Sequence, residues 1–472
     1  MPPPRLRWPL RLRWVAAVLA LLAVAACTGG GRTREDAPPA GSSSRWIVVA
    51  SGRDVTGKGG IRQQLIDAWN RAQPADGYQA RLVELPSSAD AQRSQLLGAL
   101  QSGSASYDVV NLDVTWVPEF AAARLIRPLP GTAVAGGNDL VSSVDATAFW
   151  GGERYAVPFN SDVGLLYYRR DQLAQVSGRS DLGTSVSWDE LRALIEALNR
   201  KRPAGYEAGW TTQLDGYEGR TVNAVEAFAS AVGDFRITDD RGRYRGTEEQ
   251  LAAGIGELRR RTGTAYTLRD AYTSDESRSL DDFARGRTAF LRHWPYVYPT
   301  LYETFKGDLG VTRLPGKAVL GGQDLAVTSS TNGERAARAY DLIRFLTDPD
   351  SERCLLRAGF AATRTSAYED TAVCTHAPVY AESPSASPTG ESAGRTPPDR
   401  LGGLSYHRQI LLPALSAAVQ RPRTPLYGAV SRSLITVLGP LYDVGPGGGT
   451  SSSPTDQELA ESLNRALERE LP

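Results

Sequence analysis

Between residues 46 and 130 the chain alternates strand-like and helix-like patterns, and this alternation restricts the fold more than any other feature of the sequence. Trp46-Ile47-Val48-Val49-Ala50 is a short apolar run with the character of a buried strand. A stretch rich in glycine (Gly52, Gly57, Gly59, Gly60) follows, and then Ile61, Leu65, Ala68 and Trp69 fall on one helical face. Tyr78 to Leu85 is a second strand, Leu96, Leu97 and Leu100 mark a second helix, and Tyr107 to Leu112 is a third strand ending at Asp113. A βαβα order predicts an α/β fold whose parallel sheet carries helices on its faces. Sheets of this kind bind ligands beyond the carboxyl ends of their strands. Asp113 and the first loop, with Ser51, Gly52 and Asp54, therefore lie at a candidate binding edge.

The chain has 472 residues, enough for two domains with real cores. Its middle reads as mostly helical. Ser187 and Glu190 form a capping-box pattern ahead of Leu191, Leu194, Ile195 and Leu198. Further helical faces are predicted around 221 to 232, 247 to 261, 278 to 285 and 334 to 346, and Asp348-Pro349 starts another helix, with proline at its first position. Residues 382 to 403 read as an exposed insertion, and 445 to 454 as a second flexible patch.

The N-terminus is a targeting segment. Arg5, Arg7, Arg11 and Arg13 precede an unbroken apolar run from Val15 to Ala26. The run is shorter than the ~20 residues a membrane span needs, and suits a secretory signal. It ends in Val24-Ala25-Ala26-Cys27, which resembles the lipobox of bacterial lipoproteins, so residues 1 to 26 are expected to be removed and Cys27 lipidated. Residues 27 to 45 then form a tether. Two further cysteines remain, Cys354 and Cys374. Outside the cytoplasm they form either a disulfide, the favoured reading, or two buried thiols.

Lysine plus arginine and aspartate plus glutamate each number 53, so the net charge is zero and no nucleic-acid partner is expected. Thr56-Gly57-Lys58-Gly59-Gly60 lacks the spacing of a nucleotide-binding P-loop. With three histidines and neither HExxH nor CxxC, no metal and no cofactor are expected. No GxSxG elbow occurs.

From Tyr107 onward the segment YDVVNLDVTWVPEFAAARLIRPL resembles family 1 extracellular solute-binding proteins, which include maltose- and trehalose-binding proteins. In the family's order follow AVPFNSDVGLLYYRRDQL, similar to its first hinge crossing, YEGRTVNAVEAFASAVG, similar to its second-lobe binding helix, and FARGRTAFLRHWPYVYP, similar to its tryptophan segment. VLGGQDLAVTSST and FLTDPDSERCLLRAGFAATRTSAYED resemble the second and third crossings. The resemblance covers roughly residues 46 to 440. It implies a two-lobed periplasmic-binding-protein-like fold (type II), with a ligand cleft between lobes joined by three hinge crossings. One lobe would comprise 46–157 with 322–363, the other 158–321 with 364–472.

A sugar needs carboxylates and amides for its hydroxyls and aromatic faces for its C–H surfaces. The resemblance implies Asp113 as an acceptor, with Trp116 stacking, and Asp162, beside Asn160, as the acid beyond the first crossing. It implies Tyr217 and Glu218 as an aromatic–acid pair. It also marks Trp294 and Tyr296 of His-Trp-Pro-Tyr as the candidate aromatic platform. Gly321 and Gly322 allow close backbone approach, and Arg364 offers a forked donor. Most also have a structural reading: helix cap for Asp113, core for Trp116 and Trp294, hinge-loop salt bridge for Asp162, solvated helix start for Tyr217 and Glu218, chain crossing for the glycines, internal ion pair for Arg364.

The chain is thus expected to be no enzyme but the monomeric, lipid-anchored binding subunit of an ABC importer. It would sit on the extracellular face of the cell membrane, take up a small carbohydrate, and meet an ABC permease. The alternatives are a non-sugar solute (glycerol phosphate, peptide, polyamine or metal chelate), a surface sensor, and a secreted glycoside hydrolase with two of Asp113, Asp162 and Glu218 as its acids.

Overall fold

The computed structural model describes residues 45–53, 60–104, 106–134, 136, 139–369, 374–377, 399–401, 403–443 and 454–472. In chain order the strands are β1 (Trp46–Gly52), β2 (Gln79–Leu85), β3 (Val109–Asp113), the short pair β4 (Phe149–Trp150) and β5 (Glu153–Arg154), β6 (Val157–Val163), β7 (Leu165–Arg169), β8 (Ala208–Thr211), β9 (Thr288–His293), β10 (Leu309–Arg313), β11 (Leu320–Val327) and a second short pair, β12 (Arg400–Leu401) and β13 (Leu404–Ser405). One sheet has the order β2-β1-β3-β11-β6 and a second the order β10-β7-β9-β8.

The first sheet follows the sequence expectation closely. β1 pairs in parallel with β2 and β3, and β11 runs antiparallel to both β3 and β6. Successive residues of a strand face opposite sides, so each strand feeds two cores. Ile47, Val49, Val109, Val157, Leu325 and Val327 meet residues of the helices Ile61–Ala72, Gly333–Leu346 and Pro349–Arg357. Val48, Ala50, Val110, Leu112 and Ala326 meet residues of Ala89–Ser102 and Val117–Ala122.

The second sheet is where the structure departs from the sequence reading. The middle of the chain is richer in helix than in strand, as expected, but β7 to β10 also form a four-stranded sheet there. These strands are four to six residues long and almost wholly buried, so they show no alternation. The helix Trp188–Lys201 lays Leu191, Leu194, Ile195 and Leu198 into this core. Its N-cap, Ser187, accepts from the Glu190 amide. The helices Glu218–Ala231, Glu248–Arg261, Tyr427–Val437 and Asp456–Glu470 share a further core around Phe228. Asp348 caps Pro349–Arg357 by accepting from the Ser351 amide, as the Asp-Pro pattern suggests.

The sheets exchange chain at three places. β6 still belongs to the first sheet, so the first crossing falls at Gly164 rather than at Pro158. A Cβ at Gly164 would lie 2.4 Å from Glu226 Oε1, so only glycine passes here. The second crossing joins β10 to β11. The third runs from Phe360 to Arg364, with Ala361 bridged to Ser161 and Arg364 to Leu140. Cys354 and Cys374 are joined by a disulfide, with Cα atoms 5.0 Å apart. Among the described residues no helix is long and apolar enough to cross a membrane. Cys27 and the signal segment lie outside the described residues, as do most of the insertion and of the second patch.

Candidate functional site

The carboxyl ends of β1, β3 and β6 share one edge of the first sheet, and β11 begins there. Register places Asp113 and Asn160 on either side of Gln323, and Asp162 beside Gly321. Four of the expected site residues therefore come together at this edge: Asp113, Asn160, Asp162 and Gly322.

Asp113 plays two parts. Its Oδ1 accepts from the Thr115 amide and hydroxyl, at 2.9 and 2.7 Å, which closes the turn after β3. It also pairs with Arg421, whose Nη2 lies 2.9 Å from Oδ1 and 3.2 Å from Oδ2. The other terminal nitrogen of Arg421 donates to Glu218 Oε1 at 2.7 Å. Tyr427 also donates to that oxygen, and Ser431 donates to Oε2 at 2.8 Å. Glu218 opens its helix with every oxygen engaged. Burial nonetheless pushes its carboxyl up, with Arg421 and Tyr427 opposing.

Arg421, which sequence reasoning missed, stands between two of the expected site residues. It stands on a segment that pairs with the second crossing: Leu320 donates to Val419, and Val419 to Ala318. The guanidinium is buried, 3% exposed, yet it reaches the first sheet through Asp113 and the second lobe through Glu218. Only Pro422 beside it hints at a fixed backbone. A cavity of about 730 Å³, between Gly233–Asp240 and Ala418–Arg423, touches these site residues through Arg421 alone.

The aromatic side of the site hangs from β9. Trp294 follows its last residue and is half-buried. The Arg292 guanidinium lies 3.9 Å from the ring centroid. Arg292 is held in turn by Glu226, at 2.6 and 3.2 Å, and by Gln213 at 3.3 Å, all deeply buried. Trp294 crowds Gly321: a Cβ there would be 3.3 Å from its Cζ3 and 3.2 Å from the Asp162 Cβ. Trp294 and Asp162 are thus neighbours across Gly321, and a side chain there would press on both. Tyr296 is half-buried, edge-on to His293 at 5.5 Å and tilted against Phe360 at 6.4 Å. Burial pulls His293 down to about 3, so its ring is neutral and its Nδ1 accepts from the Trp294 amide at 2.8 Å. Tyr217 donates to Glu276 at 2.7 Å, which adds an acid that sequence reasoning did not single out.

Arg62, likewise missed, underlies the sheet edge. It donates to Gly52 O at 2.8 Å, Gln323 Oε1 at 2.6 Å and Asn160 Oδ1 at 3.4 Å. Asn160, 2% exposed, belongs to this supporting network. Asp162 differs from the other acids. The residue is half-buried, while its Oδ1 is sealed from solvent without a hydrogen-bond partner.

Two expectations meet a different placement, and a third residue, Gly322, has a structural reason of its own. Trp116 is 5% exposed and packs in the core with Phe120 and Leu112, leaving no face for a ligand. Arg364 is fully buried and donates to Thr347 O at 2.7 Å and Gly136 O at 3.2 Å, with Asp139 at 3.6 Å. It braces the third crossing instead of reaching the cleft. Gly322, with φ 115°, is demanded by its own strand, since a Cβ would lie 2.4 Å from Asn160 O. Asp54 lies outside the described residues. Among the described residues no cluster of three or more His, Cys, Asp or Glu could hold a metal ion.

Two α/β lobes joined by three crossings are the type II periplasmic-binding-protein fold. A family model described as bacterial extracellular solute-binding protein matches residues 64–382, and the chain belongs to that family. A probable ABC transporter-binding protein of Deinococcus radiodurans is 29% identical over 332 residues, 66% of this chain and 75% of the relative. Maltose-bound MalE3 of T. maritima superposes with a TM-score of 0.69 at 22% identity, over 90% of this chain and 99% of that one. The GacH receptor of Streptomyces glaucescens, solved unliganded and with acarbose, gives 0.68 at 17%, over 90% and 98%. UgpB of Mycobacterium tuberculosis, in complex with glycerophosphocholine, gives 0.66 at 20%, over 90% and 97%. The family consists of binding proteins, not enzymes.

Proposed function

We propose that this chain is the solute-receiving subunit of an ABC importer and that its cargo is a small neutral carbohydrate, a disaccharide such as trehalose or maltose. The observation that carries this reading is the juxtaposition of Trp294 with Asp162 across Gly321. An aromatic face beside a carboxyl is what a sugar ring and its hydroxyls require. The local charges disfavour an anionic solute. Arg292 is matched by Glu226, Arg421 by Asp113 and Glu218, and Arg62 donates to the protein's own oxygens. An anionic solute would have to break one of these pairings.

Solute captured between the lobes is enclosed by hinge movement at the three crossings, and the closed form docks on a permease. Lipid on Cys27 keeps the protein at the extracellular face of the membrane, and the following residues act as its tether. Calorimetric titration of residues 28–472 against trehalose, maltose, sucrose, cellobiose and xylobiose tests the cargo. One-to-one binding of one sugar, without product, is the expected result. Binding of glycerophosphocholine in place of every sugar would overturn it.

A further inference from the structure

We propose that Asp162 enters the cleft as a neutral carboxylic acid and donates a hydrogen bond to an acceptor oxygen of the solute, so that solute binding is linked to a proton. The donor half rests on the carbohydrate reading above, while the protonation half rests on the structure alone.

Asp162 is the next-to-last residue of β6, at the sheet edge that faces the second lobe. Its Oδ1 is shut off from water and has no partner. A buried carboxylate stays ionised when a cation or several donors hold it. Each cation that faces Asp162 is turned to another acceptor. Arg62, from the helix Ile61–Ala72, donates to Gly52, Asn160 and Gln323. Arg292, from β9, is held by Glu226 and Gln213. Arg421 is divided between Asp113 and Glu218. The other charged neighbour, Asp113 of β3, adds a like charge. The phenols of Tyr167, Tyr296, Tyr368 and Tyr406 face it as well, and burial keeps all four neutral. Burial accordingly pushes the Asp162 carboxyl up to about 7, with Asp113 reinforcing and the three arginines opposing.

The protonation state changes what the group can read. An ionised carboxylate only accepts, and so pairs with any hydroxyl. A neutral acid can donate, which lets it meet a ring or glycosidic oxygen that has no hydrogen of its own. Enclosure by a solute removes further water, which favours the neutral form again.

The test has two arms on the full chain. Carboxyl ¹³C shifts of labelled aspartate are followed against pH without solute, the Asp162 signal being the one that disappears in Asp162→Asn. A midpoint near neutrality supports the proposal, and a midpoint near 4 overturns it. In the second arm maltose affinity is measured from pH 6 to 9. Wild type should lose roughly tenfold per pH unit above about 7, the slope for one linked proton. Asp162→Asn, whose amide also donates, should keep its affinity and lose the slope. Maltose bound with a flat wild-type profile overturns the donor role. Failure to bind maltose at every pH counts against the carbohydrate reading, and the carboxyl titration then still decides the state of Asp162.

Discussion

Arg421 donates to Asp113 at 2.9 Å on the first sheet, and its second terminal nitrogen is committed to Glu218 on the other lobe. One buried guanidinium thus offsets two acids that belong to different halves of the molecule. Coulomb attraction across such a site outweighs desolvation only while the fork stays complete.

Arg421→Met should therefore destabilise the protein by about 3–5 kcal/mol, the range for removing one partner of a buried ion pair. Arg421→Lys should recover only part of this, because an ammonium lacks the planar fork that reaches both acids. Urea unfolding of the three proteins checks the order. Equal midpoints would show that the bridge carries no stability.

Trp294→Ala should weaken binding of the cognate sugar by about 2 kcal/mol or more, as removal of a central aromatic does. Its support can be tested separately. Glu226→Gln leaves Arg292 with an uncompensated charge beneath the ring and should cost both stability and affinity. Trp294→Ala should lower affinity with little change in melting temperature, whereas Glu226→Gln should lower both, and calorimetry with thermal melts separates the two effects. An unchanged dissociation constant for Trp294→Ala would remove the ring from the site.

How much of this was legible in the sequence depended on whether a residue's role was local. β1 to β3 and their helices announced themselves because periodicity is local, and Asp113 could be placed because the end of its strand could be read. The second sheet could not, since Thr288 to His293 is buried at every position and shows no alternation. The same limit applied to Arg421, whose partners lie 308 and 203 residues away. Trp116 and Arg364 show the reverse error. Residue type and motif fitted a cleft, but only three-dimensional packing decides that one ring is core and one fork is bound to backbone carbonyls.

Stability should fall as pH rises through neutrality. Asp324 and Glu352 are both fully buried, and burial pushes their carboxyls up to about 7 and about 8. Unfolded, they titrate near 4. With Asp162, likewise raised to about 7, the native state therefore keeps three protons that the unfolded chain has released. Their contribution is complete below about pH 4 and is lost as pH climbs to about 8, at about 1.4 kcal/mol per proton per pH unit. For Asp324 the neutral form also resolves a conflict. Thr147 has one hydroxyl proton to share between Val144 O at 2.7 Å and Asp324 Oδ2 at 2.9 Å, and a protonated acid can donate to Thr147 instead. Thermal melts between pH 5 and 8.5 should slope downward, and Asp324→Asn should make the slope shallower below about pH 7 while the share of Glu352 remains. A melting temperature that rises over this range would reverse the argument.

The disulfide should act on the third crossing. Cys354 and Cys374 are 20 residues apart, and the bridge spans the Phe360–Arg364 segment. In the chain-entropy model, closing a loop of this size stabilises by roughly 3 kcal/mol. The bridge also holds Thr375 and His376, whose amides donate to Asp350 at 3.1 and 2.9 Å, against the helix Pro349–Arg357. The double variant Cys354→Ser, Cys374→Ser should lose about that stability and expose the third crossing to faster amide exchange, while solute still binds at temperatures well below the melt. The unreduced, unfolded wild-type protein, without its signal segment and with Cys27 lipidated, should show no free thiol. Finding two would mean the cysteines pack there as thiols, and the crossing would then owe its order to the Ala361–Ser161 bridge, the Thr363–Glu352 hydrogen bond and Arg364.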